Sequence, residues 1–155
     1  MKILIGALLS IALVITGCCL WKTSKKDHKL APSVNRILWV GFAMVFFYIF
    51  AMLVEVERIS LVAYSAYYIS VGWLVFFLLY FSLEYSGTIL EEYVRKDFMM
   101  ILLVLDSLAL VWNIFSRKLF TLDWTPVFAG ESIYKPVLKD LFYVHYTFLL
   151  MCAVL

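Results

Sequence analysis

Asp106 sits in the run VLDSLALVWN, about eight residues from either end of a stretch of otherwise apolar side chains. A carboxylate at that depth in a membrane is costly and marks a functional candidate. It must face other helices and accept hydrogen bonds, from a Tyr or a Ser, in a structural or a ligand-binding role. Asn113 follows seven residues later, nearly two helical turns, so both side chains share one face. His145, in YVHYTFLL, opens the last apolar stretch and reads as a hydrogen-bonded histidine, with a pH switch as the alternative. Glu55, in MLVEVER, and Glu84, in FSLEYSG, stand at the ends of their stretches, within reach of water. Glu55 is also expected, with Asp106, Asn113 and His145, among the polar contacts within the bundle.

Other chemistries lack their residues. There is no phosphate-binding glycine loop, no HExxH and no GxSxG. Cys18, Cys19 and Cys152 show no ligand spacing and fall in or beside apolar runs. Neither an enzyme nor a bound metal or other cofactor is expected. A net charge of +2 is too small to imply nucleic acid.

The elements that must position these groups are membrane helices. The chain is 65% hydrophobic and only 15% charged, where a soluble domain carries about 25% charge. Apolar runs over about 3–21, 37–54, 61–81 and 98–115 each approach the ~20 residues of a spanning helix. A fifth run, 141–155, is shorter, and the chain is expected to continue beyond it. None of the runs contains a proline; Pro32, Pro126 and Pro136 fall in connections. The expected fold class is therefore all-α, a polytopic transmembrane bundle of four complete spans and an incomplete fifth. Trp21 and Trp39 stand at span ends, as interface anchors do.

Basic residues orient the bundle. KTSKKDHKLAPSVNR holds Lys22, Lys25, Lys26, Lys29 and Arg36 against Asp27 alone, so loop 22–36 is expected in the cytoplasm and the N-terminus outside. Summed over the whole chain the two sides are nearly equal, and the orientation rests on that loop. A rival reading takes MKILIGALLSIALVITGCC as a signal peptide with a lipoprotein cleavage box, Ile15-Thr16-Gly17-Cys18, which would reverse every later span. It would also put the densest basic loop outside, the worse arrangement.

Loop 116–140 is the one connection long enough for structure of its own. KLFTLDW alternates like a strand and AGES supplies a turn, so a short hairpin capping the bundle is expected. Trp124 would belong to this lid, which either shapes a ligand pocket or dips its aromatics among the headgroups.

Four stretches carry a family resemblance. WVGFAMVFFYIFAMLVEVE is aromatic-rich and closed by Glu55; YYISVGWLVFFLLYFSLEYSG ends in FSLEYSG; DSLALVWNIFSRKLFTLDW passes through Asn113 into an aromatic loop; YVHYTFLL follows. Together, over roughly 37–155, they resemble the N-terminal seven-transmembrane sensor region of bacterial histidine kinases and related diguanylate cyclases. One departure is SVGWLVFF, where that family often has a proline early in the third helix. The resemblance implies a multi-pass sensory module in the cell membrane, cut within its fifth helix. Its partners would be the lipid bilayer, a small-molecule or membrane stimulus, and a second copy joined through a cytoplasmic output domain. The alternative is a small multispanning partner subunit or a transporter component, with Asp106 as its ion site.

Overall fold

The computed structural model describes residues 2–25, 30–86, 96–128 and 131–154. Five helices and one hairpin follow in order: α1 (Lys2–Ser24), α2 (Ala31–Leu53), α3 (Glu57–Ser86), α4 (Lys96–Ser116), β1 (Phe120–Phe128), β2 (Glu131–Leu138) and α5 (Phe142–Val154). The first four helices are long and apolar enough to cross a membrane; α5 is a shorter apolar helix. Where no water can satisfy a peptide group, a helix that pairs every interior N–H with its own carbonyls is the favoured state of such runs. Outward side chains such as Leu8, Val14, Ile101, Leu105, Leu108 and Phe115 are exposed, as an apolar solvent requires.

Three boundaries differ from the sequence reading. The α2 helix begins at Ala31, six residues before the expected span, because Pro32 occupies its first turn. A proline there removes no helical hydrogen bond, since a first-turn N–H has no partner in any helix. The α3 helix runs from Glu57 to Ser86, well past 61–81 at both ends. At ~1.5 Å per residue it is about 45 Å long, more than the ~30 Å hydrocarbon core. The fold is also not purely helical: β1 and β2 pair antiparallel, with Trp124 opposite Tyr134 and Leu122 opposite Pro136. Pro126 and Pro136 therefore lie in strands, not in plain connections. A two-stranded sheet has only edge strands, and an edge tolerates a residue without an N–H. The cations Lys26 and Lys29, and the Ala129–Gly130 part of the expected turn, lie outside the described residues.

The central element is α3. It packs against α2, α4, α5 and both strands, while α1 packs on α2. One core joins Ala51, Leu61, Tyr64, Leu110, Phe120 and Phe142 at the hairpin end. A second joins Phe76, Met99, Leu103, Phe148 and Cys152. Lipid tails are as apolar as these side chains, so close packing and interhelical hydrogen bonds hold the helices together, with little help from the hydrophobic effect.

Contacts fix which helix ends lie together. The hairpin and the Val54–Val56 link share one end: Tyr64 donates its hydroxyl to the Tyr134 carbonyl at 2.9 Å, and Arg117 pairs with Glu57 at 2.8 Å. At the other end Ser33, in the first turn of α2, donates to the Glu84 carboxylate near the end of α3. The start of α2 and the last turns of α3 are therefore neighbours.

Candidate functional site

Asp106 and His145 meet. The Asp106 Oδ2 lies 2.8 Å from His145 Nδ1, linking α4 to α5 across 39 positions of sequence. Both side chains are nearly or fully enclosed, at 11% and 2% exposure. An ionised carboxylate can only accept, so with Asp106 in that form the Nδ1 atom carries the proton. His145 Nε2 is buried and has no hydrogen-bond partner among the described residues. The pair lies between the two cores, since Leu103 and Leu110 flank Asp106 and Phe142 and Phe148 flank His145.

Gly72 of α3 makes the third wall. A Cβ there would come within 3.4 Å of Leu103 Cδ1, 3.7 Å of Asp106 Oδ2 and 3.9 Å of His145 Cε1. These are ordinary contact distances, so one methyl fits and a larger side chain does not. Gly72→Ala should therefore fold as well as wild type or gain up to about 1 kcal/mol from helix propensity. Gly72→Leu should lose about 1–3 kcal/mol as α3 is pushed away from the pair. Thermal unfolding of both variants in detergent checks this, and equal melting temperatures would contradict the wall.

Asn113 lies on the same face of α4 as Asp106, seven residues on, but it binds the hairpin and not the pair. Its Nδ2 donates to the Phe120 carbonyl at 3.0 Å, and its Oδ1 accepts from the Leu119 and Phe120 amides at 2.7 and 3.3 Å. All of this is enclosed: Asn113 and Phe120 are fully buried. The turn that permits it passes through Arg117, whose φ of 51° is unusual for a side chain with a Cβ. Arg117 is steadied by its own N–H on the Asn113 carbonyl, by Lys139 Nζ on its carbonyl at 2.7 Å, and by Glu57.

An aromatic group joins the clamp to the pair. Tyr68 of α3 packs edge-on against Phe120, with centroids 5.3 Å apart, and against Phe142 at 4.8 Å. The Tyr68 ring lies 6.1 Å from the His145 ring, and Phe142 lies 5.1 Å from it. Phe120 of the hairpin is therefore in contact with Tyr68 and Phe142, the two rings that lie against His145.

The remaining candidates lie elsewhere. Trp124 is on β1, half exposed, its ring 4.5 Å from that of Tyr134 across the hairpin. Glu55 is exposed on the Val54–Val56 link and takes no part in the bundle interior. No group of three His, Cys, Asp or Glu side chains among the described residues could hold a metal ion.

The chain matches no family model, no curated protein and no solved structure. Sequence reasoning missed Gly72, Tyr64, Tyr68 and the Arg117–Glu57 pair. A lone glycine inside the aromatic run YYISVGWLVFF was the available sign of the first, because small residues mark places where membrane helices approach closely.

Proposed function

We propose that the chain is a membrane-embedded sensory input module of a bacterial signal-transduction receptor, coupled to a cytoplasmic histidine kinase or diguanylate cyclase domain. The carrying observation is the unbroken contact from the clamped hairpin, through Phe120 and Tyr68, to the buried Asp106–His145 pair. A receptor needs a part that meets the stimulus and a packed element with two arrangements that the stimulus biases. Here the hairpin with Trp124 is the first, and the α4–α5 joint against Gly72 is the second. The stimulus would act at the hairpin end, and a small shift of α5 or α3 would carry the signal inward.

In this reading Lys22, Lys25 and Arg36 lie at the cytoplasmic end, and the hairpin and N-terminus lie outside. The cytoplasmic output would also join two copies. Asp106 and His145 set the signalling balance, Asn113 fixes the hairpin, and Glu55 and Trp124 face the stimulus side.

The test is the output of cells that carry Asp106→Asn or His145→Gln in the native gene. Altered phosphotransfer or cyclic dinucleotide level at unchanged membrane abundance is expected. Unchanged output, with a gradient-driven solute uptake lost in Asp106→Asn, would move the assignment to a transporter component.

A further inference from the structure

Away from the buried pair, a groove of about 540 Å³ opens between the start of α3 and the end of α4, lined by Arg58, Leu61, Val62, Ile114, Phe115 and Arg117. Two of its lining residues are arginines and the other four are apolar. Phe115 and Val62 are 78% and 46% exposed, so its floor is open to whatever surrounds the bundle.

The charges are unevenly matched. Glu57, the nearest carboxylate in sequence, is engaged by Arg117 at 2.8 Å. Arg58 is exposed and has no ion pair, hydrogen bond or ring contact among the described residues. Among the described residues Arg58 is thus a cation without an ion pair beside an apolar cleft, with the exposed Glu55 carboxylate three residues before it.

We propose that this groove holds an anionic phospholipid of the surrounding bilayer, its phosphate at Arg58 and Arg117 and the start of an acyl chain on Leu61, Val62, Ile114 and Phe115. The level is right for it. Arg58 is the second residue of α3 and Arg117 follows the last of α4, so both stand at span ends, where headgroups lie. The apolar residues are about one turn further in, where acyl chains begin. A guanidinium offers paired N–H donors that match two phosphate oxygens. A zwitterionic headgroup carries its own ammonium and gains less from the free Arg58 charge. A soluble anion would leave the apolar floor uncovered.

The experiment is native mass spectrometry of the full chain in detergent, titrated with phosphatidylglycerol or with phosphatidylcholine. Phosphatidylglycerol is expected to be retained in preference to phosphatidylcholine. Arg58→Gln should weaken phosphatidylglycerol retention about fivefold, the effect of one basic residue at a lipid surface. Arg58→Lys should keep most of it, and phosphatidylcholine should respond less than phosphatidylglycerol to Arg58→Gln. Because Arg58 has no ion pair or hydrogen bond to lose among the described residues, both variants should melt like wild type, which separates loss of lipid from loss of fold. Equal retention of the two lipids, or no effect of Arg58→Gln, would overturn the proposal. So would displacement of the lipid by millimolar inorganic phosphate, which would make the groove a simple anion site.

Discussion

Removing one member of the Asp106–His145 pair is expected to damage the bundle more than removing both. Asp106→Ala leaves an enclosed imidazole with two unpartnered nitrogens and should cost about 3 kcal/mol. His145→Ala leaves a carboxylate 11% exposed with its partner gone, a loss of about 3–5 kcal/mol by the measure of broken buried pairs. The hydrogen bond itself is the smaller effect, since interhelical bonds in membranes average about 0.6 kcal/mol. What decides the size is the polar group left behind. The double variant Asp106→Leu/His145→Phe should accordingly return to within about 1–2 kcal/mol of wild type. Unfolding in mixed micelles of increasing denaturing-detergent fraction measures all three. Additive losses in the double variant would mean that the two side chains act independently.

The second large effect is at Asn113. Alanine there removes three hydrogen bonds at once and leaves the Leu119 and Phe120 amides and the Phe120 carbonyl without partners in a buried corner. A loss of about 3 kcal/mol is expected. It should be local as well as global, because the same three bonds seat Phe120 between Tyr68 and Phe142. Hydrogen exchange gives the sharper reading: the Leu119 and Phe120 amides should lose protection in Asn113→Ala, while those of α2 change little. Asn113→Asp keeps the acceptor but turns a carboxylate oxygen toward the Phe120 carbonyl in a fully buried site, so it should not restore wild-type stability. Unchanged exchange at both amides in the alanine variant would remove the clamp from the account.

Much of this arrangement was legible in the residues. The depth of Asp106 in its run demanded an interior partner, and a spacing of seven put Asn113 on the same face. The hairpin followed from KLFTLDW and the turn residues after it. Two things were not legible. The partner of Asp106 is a histidine, where Tyr or Ser had been the expected donors; which helix face meets which depends on rotations that periodicity within one helix cannot supply. Asn113 serves the loop after its own helix, because the left-handed turn at Arg117 folds the chain back over it. Glu55, expected among the polar contacts of the bundle, is instead exposed, because the three-residue link that carries it is too short to turn its side chain inward. Helices α2 and α3 begin before their apolar runs because polar first turns, such as Pro32–Arg36 and Glu57–Ser60, continue a helix without adding to an apolar run.

The central claim is that His145 is held by Asp106 inside the bundle, and nuclear magnetic resonance of the histidine rings tests it most directly. The chain has only two histidines, His28 and His145, so His28→Gln leaves a single ring to observe in the ¹⁵N-histidine-labelled protein in detergent micelles. An Nδ1 proton shifted strongly downfield and protected from exchange with water is expected, and that signal should vanish in Asp106→Ala. A ring proton that exchanges freely with water, or a spectrum identical in wild type and Asp106→Ala, would contradict it.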